Sequence, residues 1–312
     1  MNHQSVNPTL LIKRLFGHLY QVVSECVYAV LKLNLGLRVA CKFLLMRLLT
    51  PFGVGRKWDR PNQPTKSPLV AELRAQGFAE LAPMEPIQVE SLRRFFCNHV
   101  GDTHRRAFAD LSDYFERSRE RNIQRPPGVV ATGSSDCAIT QVLFDDYYID
   151  IAAAFMGLDR SRLVASGSMD ALIRLDTPIA RIGGYDDALE LHRDIDSYRF
   201  VKMFVYLTDC PLNRGHHEVF LQSHRYTPFA LGPIARYTKT EVERAIPEAR
   251  YHTVEGRAGY AFVENTYAFH RGTKPLTGDR LILNLMYMED IFLDYYKTAF
   301  RIPARARQAL SA

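Results

Sequence analysis

Hydrophobic and polar residues alternate along short runs in the second half of the chain, from Arg162 onward. The runs are RLVASGS, ALIRLDT, RFVKMFVYLTD, EVFLQSH, YAFVEN and RLILNLMYM. A period of two places successive side chains on opposite faces of a β-strand. The second half of the chain is therefore predicted to consist of antiparallel strands joined by turns.

The residues before Arg162 follow a helical period instead. The predicted elements are a helix in LVAELRAQGFAEL that stops at Gly77 and leads into a short strand, and helices in VESLRRFFCNHV, THRRAFADLSDYFERSRERN and VLFDDYYIDIAAAFMG. The last helix runs from Val142 to Gly157, where a glycine ends it. Helices followed by gathered strands predict an α+β fold, in which an antiparallel barrel or sandwich is backed by helices.

Residues 9–50 also show helical periodicity, but a charge interrupts every apolar run. No uncharged stretch of about 18 residues is present, so a membrane-spanning helix is not predicted. A polar, proline-containing linker follows from Gly55 to Pro68. The predicted organisation is a basic amphipathic helical segment (1–66), one main domain (67–300) and a short tail (301–312).

The net charge of +6 is concentrated in the first segment. Residues 1–66 hold ten Lys or Arg and two acids, which gives +8 and leaves −2 for the remainder. Two interpretations are open: a helical pair packed on the main domain, or an amphipathic anchor lying on an anionic membrane surface. The main fold lacks the interleaved basic and aromatic residues of a nucleic-acid-binding protein, so no nucleic-acid partner is predicted.

Five cysteines are scattered along the chain and never form a C-x-x-C pair. This pattern argues against a disulfide framework and a thiolate zinc site, and it fits a reducing compartment. The predicted location is cytoplasmic, with peripheral membrane attachment if the first segment is an anchor.

Candidate chemistry lies in the strand-rich half. His192 and Asp194 stand two residues apart in LHRDID, His270 follows in ENTYAFHRGTKP, and Arg280 opens the run RLILNLMY. Two imidazoles and one carboxylate on one side of a metal ion leave three coordination positions open, which suits non-haem Fe(II) chemistry with oxygen. A 2-oxo acid fills two of these positions and O2 the third, while a guanidinium is well suited to hold a distal carboxylate.

These residues and their spacing resemble the Fe(II)/2-oxoglutarate dioxygenases, and more closely the phytanoyl-CoA dioxygenase-like group. The similarity extends from about Val70 to Tyr287. Its motifs are LVAELRAQGFAELAPM, LHRDID followed by VKMFVYLTDC, HHEVFLQSHR, and FHRGTKPLTGDRLILNLMY.

The resemblance implies a double-stranded β-helix (jelly roll, cupin-like) in which His192, Asp194 and His270 hold Fe(II). It further implies that Arg280 anchors the C5 carboxylate of 2-oxoglutarate and that Tyr206 lies against this co-substrate. A carboxylate at position 194 favours hydroxylation, because the halogenating relatives have Ala or Gly there. The sequence departs from the group at Leu221-Gln222, where Pro-Gly is usual, and at Gly272, where a hydroxyl residue is usual.

Other polar residues near these motifs are assigned lesser roles. The run His216, His217 and Glu218 is interpreted as loop residues near the mouth of the site, because adjacent side chains point apart and do not readily chelate one ion. His224 is expected to fix a loop by hydrogen bonds. Arg193 and Arg271 flank the metal ligands and face either solvent or an anionic substrate. The sequence contains no nucleophile elbow, P-loop or dinucleotide fingerprint.

The predicted function is therefore an Fe(II)- and 2-oxoglutarate-dependent dioxygenase that hydroxylates an unactivated C–H bond. Its substrate is a small molecule or, if the first segment binds membrane, a lipid-linked compound or glycolipid. Two alternatives remain at this stage: an inactive jelly-roll binding module, and a cupin-like metal-dependent isomerase or lyase that does not use 2-oxoglutarate.

Overall fold

The computed structural model describes part of the chain: Thr65 and residues 67–100, 108–123, 126, 128–131, 137–175, 189–194, 196, 199–225, 236–289 and 300–302. The predicted basic segment at 1–66 lies outside these residues except for Thr65, so both interpretations of it stay predictions. None of the helices in the described part is long and apolar enough to cross a membrane.

Five of the six α-helices in the described part of the chain precede the long strands. These helices are α1 (Pro68–Gln76), α2 (Pro86–His99), α3 (Leu111–Glu120), α4 (Ala138–Leu143), α5 (Asp146–Met156) and, later in the chain, α6 (Lys239–Ala245). The Ser67 side chain accepts a hydrogen bond from the Val70 amide at the start of α1, and Gly77 ends that helix with a φ of 80°. A Cβ atom on Gly77 would lie 2.5 Å from Nδ1 of His224. The predicted helix, glycine stop and short strand are all confirmed here.

The predicted helix from Val142 to Gly157 is wrong in one respect, because the chain breaks it into α4 and α5. The Asp145 side chain accepts a hydrogen bond from the Tyr147 amide and so begins a new helix. Aspartate is a favoured N-cap, since its carboxylate satisfies an amide that has no partner within the helix. The end at Gly157 is confirmed, with a φ of 64°.

The strands form two antiparallel sheets. They are β1 (Phe78–Glu80), β2 (Val129–Val130), β3 (Leu163–Leu172), β4 (Phe200–Tyr206), β5 (His217–Leu221), β6 (Arg250–Val254), β7 (Ala261–Glu264), β8 (His270–Gly272), β9 (Arg280–Glu289) and β10 (Phe300–Arg301). The larger sheet has the order β1-β7-β4-β9-β3-β10, with β2 also paired to β3, and the smaller has the order β6-β5-β8. The run RLVASGS and the start of the run ALIRLDT belong to one continuous strand, β3, which pairs with β9 along its whole length.

The two faces of the larger sheet have different neighbours. One face of β9 carries Leu281, Leu283, Leu285 and Tyr287, which belong to the main core together with buried residues of the helices. The opposite face carries Ile282, which clusters with residues of both sheets, namely Phe204, Tyr206, Phe262, Val219 and Val254. The two sheets therefore face each other across an interior, and the predicted α+β fold with a double-stranded β-helix core is confirmed.

Candidate metal centre

Three predicted residues meet in this interior although they are far apart in sequence. His192 pairs with His270 through two backbone hydrogen bonds of 3.0 Å, and the Asp194 amide donates to the Thr266 carbonyl at 2.9 Å. One ligand atom from each of His192, Asp194 and His270 lies within 4.8 Å of the other two. The segment around His192 forms isolated bridges rather than a regular strand, and these bridges fix the histidine beside β8.

The donor atoms of this triad are suited to a metal ion. Nε2 of His192 lies 3.6 Å from Oδ1 of Asp194, and Nε2 of His270 lies 3.4 Å from Oδ2. The Nδ1 atoms face carbonyl oxygens, that of Glu190 at 2.7 Å and that of Ala268 at 3.0 Å. Because a carbonyl only accepts, each Nδ1 must carry a proton, and in the neutral ring Nε2 keeps its lone pair for a metal.

Charged groups surround the triad. Nζ of Lys202 lies 2.8 Å from Oδ2 of Asp194 and 2.7 Å from Oδ2 of Asp196. Glu264, which is fully buried, lies opposite Lys202 in the register of β7 and β4. Its Oε2 is 2.6 Å from Nε2 of His217, and its Oε1 is 3.6 Å from Nδ1 of the ligand His270.

These neighbours set the pKa values of the ligands. Burial lowers the pKa of His192 to about 3. Burial also opposes the charged form of His270, but the carboxylates of Glu264 and Asp194 outweigh it and raise its pKa to about 9. Burial likewise opposes ionisation of Asp194, yet the cationic Lys202 and the nearby His270 hold its pKa well below the usual range. Burial thus favours the neutral form of His192, whereas the two carboxylates favour the protonated form of His270.

Arg280 and Tyr206 lie in the same interior. Arg280 shares a face of β9 with Ile282, because residues two apart in a strand point the same way, and its Nη1 donates to the Gly215 carbonyl. Burial lowers the pKa of His217, and the charges of His270 and Arg280 act in the same direction. The His217 ring is also close to the metal ligand His270, with 5.5 Å between the two ring centroids.

The Tyr206 hydroxyl is engaged by the backbone. It donates to the Val254 carbonyl at 2.8 Å and accepts from the His217 amide at 2.9 Å. These bonds connect β4 to the start of β5 and the end of β6. A contact between Tyr206 and a co-substrate therefore depends on its ring rather than on its hydroxyl proton.

The run His216, His217 and Glu218 differs from its prediction as loop residues. His217 and Glu218 begin β5, and all three side chains are buried. His216 Nε2 lies 3.2 Å from Glu218 Oε1, whereas His217 points the other way, toward Glu264. The expectation that adjacent side chains point apart is confirmed.

The remaining predicted residues are held by structural contacts. His224 Nε2 bonds to the Arg74 carbonyl at 3.1 Å, as expected for a residue that fixes a loop. Arg193 is buried, donates to the Ser223 carbonyl at 2.8 Å and lies over the rings of Phe269 and Tyr267. Arg271 Nε donates to Glu218 Oε2 at 2.6 Å.

Sequence reasoning missed two charged residues beside the triad, Lys202 and Glu264. Each is the only charged residue at an inward position of an otherwise apolar run, in FVKMFVYL and YAFVEN respectively. A charge at such a position is costly to bury unless it is paired. The single charge within each apolar run is visible in the sequence, but the run does not indicate which residue pairs with that charge.

Comparisons with known proteins give structural likeness only. No protein-family model and no curated protein matches the chain. Similar solved structures include EctD from S. alaskensis with 2-oxoglutarate and 5-hydroxyectoine, which is 13% identical over 73% of this chain and 77% of that chain with a TM-score of 0.49. EvdO2 from Micromonospora carbonacea var. aurantiaca, complexed with 2-oxoglutarate, is 16% identical over 73% and 92% of the two chains with a TM-score of 0.46.

A third similar structure is SnoK, a non-heme alpha ketoglutarate dependent carbocyclase from nogalamycin biosynthesis. It is 15% identical over 74% of this chain and 86% of that chain, with a TM-score of 0.44. At such low identity, evidence for function has to come from the side chains of this chain itself.

Proposed function

We propose that this chain is an Fe(II)- and 2-oxoglutarate-dependent oxygenase, and specifically a hydroxylase of the phytanoyl-CoA dioxygenase-like group. The observation that carries the proposal is the convergence of two histidine Nε2 atoms and one carboxylate in the interior of a double-stranded β-helix. Such a set leaves positions free for exogenous ligands and suits non-haem Fe(II), which when bound supplies oxygen activation.

Arg280 supports 2-oxoglutarate as the co-substrate. It is a buried cation that donates to the Gly215 carbonyl, two residues before His217, whose ring centroid is 5.5 Å from that of His270. A 2-oxo acid bound at the triad would extend its distal carboxylate into this interior, where a guanidinium can hold both oxygens. Arg280 also distinguishes the proposal from an inactive module or a cupin-like isomerase, in which it would have no carboxylate to bind.

The experiment that tests this function is an anaerobic titration of the purified protein with Fe(II) and then 2-oxoglutarate. We expect a weak visible charge-transfer band that requires both additions and that Asp194→Ala abolishes. Iron binding without a band would exclude chelated 2-oxoglutarate, and it would turn the search toward the isomerase or lyase alternative. Failure to bind iron would favour the inactive module.

We further propose that the substrate is lipid-linked or a glycolipid, with a soluble small molecule as the alternative. The support is the charge of +8 on residues 1–66 and the helical apolar period within 9–50. Neutralising Arg38 and Lys42 together with glutamine is expected to weaken co-sedimentation with anionic vesicles by about tenfold or more, because each surface charge contributes about 1 kcal/mol.

The matched control for this measurement replaces Arg94 and Arg121, which are exposed on the main domain. It removes the same charge but is expected to leave co-sedimentation unchanged. Equal behaviour of the two double variants would rule out the first segment as the membrane-binding element.

A further inference from the structure

We propose that Lys202 is a positioning residue that makes Asp194 a one-oxygen ligand and keeps Asp196 out of the metal coordination sphere. This inference rests on the proposed function, because it concerns how many positions remain for 2-oxoglutarate and oxygen. Neither the resemblance nor the comparisons assign a role to this lysine.

The geometry places one ammonium between two carboxylates. Nζ of Lys202 is 2.8 Å from Oδ2 of Asp194 and 2.7 Å from Oδ2 of Asp196. The side chains of Lys202 and Asp194 are only 13% and 17% exposed, so water competes little for these contacts. Two carboxylates within 2.8 Å of Nζ favour the ammonium form of this lysine, because opposite charges attract.

The two oxygens of Asp194 have different surroundings. Each oxygen faces one ligand imidazole, Oδ1 at 3.6 Å from Nε2 of His192 and Oδ2 at 3.4 Å from Nε2 of His270, but only Oδ2 also receives a hydrogen bond from Lys202. A carboxylate with one oxygen held by an ammonium is disposed to give a metal only its other oxygen. Bidentate binding by Asp194 would take a position that a chelating 2-oxo acid or oxygen needs.

Asp196 is a second carboxylate that is able to occupy an open coordination position of the metal. It follows Asp194 by two residues, so the sequence reads H-x-D-x-D and offers a second carboxylate beside the first. Lys202 is the cation that pairs with both. Without it, Asp196 loses this ammonium partner and is available as a second carboxylate ligand, which would occupy an open position.

The test uses Co(II), whose visible absorption reports coordination number, and 2-oxoglutarate binding to the Co(II) protein. We expect Lys202→Met to bind Co(II) at least as tightly as the wild type, but with an altered Co(II) spectrum. Its affinity for 2-oxoglutarate should fall by about tenfold or more, the scale of a lost contact to a metal ligand.

The double variant Lys202→Met/Asp196→Asn tests whether Asp196 causes the loss of 2-oxoglutarate affinity in Lys202→Met. Because an amide is a poor competitor for the metal, we expect this variant to regain much of the lost 2-oxoglutarate affinity and a spectrum close to that of the wild type. Asp196→Asn alone should leave the Co(II) spectrum unchanged. Lys202→Gln, which keeps an N–H donor, provides a second route if the methionine variant does not fold.

The contrary results are equally specific. If Lys202→Met binds 2-oxoglutarate as tightly as the wild type, or if removing Asp196 restores nothing, the inference is overturned. If the wild-type protein binds Co(II) but not 2-oxoglutarate, the proposed function is wrong. In that case the Co(II) spectra of the variants still test the role of Lys202. A wild type that binds no Co(II) refutes both.

Discussion

Replacing Arg280 with leucine is expected to weaken 2-oxoglutarate binding by about 30-fold or more and to leave metal affinity unchanged. Truncating one member of a buried charge pair costs about 2 kcal/mol or more, because the other charge stays buried without a partner, and 1.4 kcal/mol corresponds to tenfold in affinity. The triad does not include Arg280. Anaerobic titration of the charge-transfer band measures 2-oxoglutarate affinity, and Co(II) absorption measures metal affinity.

Two further arginine variants make this result interpretable. Arg280→Lys keeps the charge but loses the planar fork, so we expect an intermediate affinity. Arg271→Leu removes another arginine that is next to the ligand His270 in sequence, but Arg271 points to the opposite face of β8 and bonds to Glu218. It should bind 2-oxoglutarate like the wild type. Similar losses in Arg271→Leu and Arg280→Leu would show that the effect is general disturbance of the sheet.

The main elements of the fold could be predicted because their residues carry strong periodic signals. The strands of the larger sheet alternate between the helix-facing core and the interior, and α1 has a capping serine at its start and a glycine at its end. The triad could be predicted because its members keep a recognisable spacing. Convergence of His192 on His270 depends on a pair of backbone hydrogen bonds that no local pattern reveals.

Two of the elements that the sequence pattern does not predict, β6 and α6, have weak burial. Only Val254 of β6 is buried, so alternation does not appear in RYHTV. In α6, Val242 is the only buried residue, and a single apolar position defines no helical face. The break between α4 and α5 was missed for another reason: the apolar period continues across it, while the capping bond of Asp145 decides where the second helix begins.

Partners of buried charges are the hardest feature to predict, and Arg74 shows why. Arg74 is one of two charged residues in the helical run LVAELRAQ. In the structure Arg74 is 2% exposed, and its Nη2 donates to the carbonyls of Ala154 at 2.6 Å and Phe155 at 3.0 Å. These are among the last carbonyls of α5, which have no partner within the helix. The contacts join residues about 80 positions apart, beyond any local pattern.

Replacing Arg74 with methionine is therefore expected to lower the free energy of unfolding by about 2–4 kcal/mol. A hydrogen bond that involves a charged group contributes about 1.5–3 kcal/mol, and the favourable interaction of a cation with the end of α5 is lost as well. Chemical denaturation measures this change. Arg94→Met is the control, because that side chain is 73% exposed and only 3.7 Å from Glu90, so less than about 0.5 kcal/mol is expected. If both variants lose the same small amount, the carbonyls at the end of α5 must reach water in the variant, and Arg74 does not hold α1 to α5.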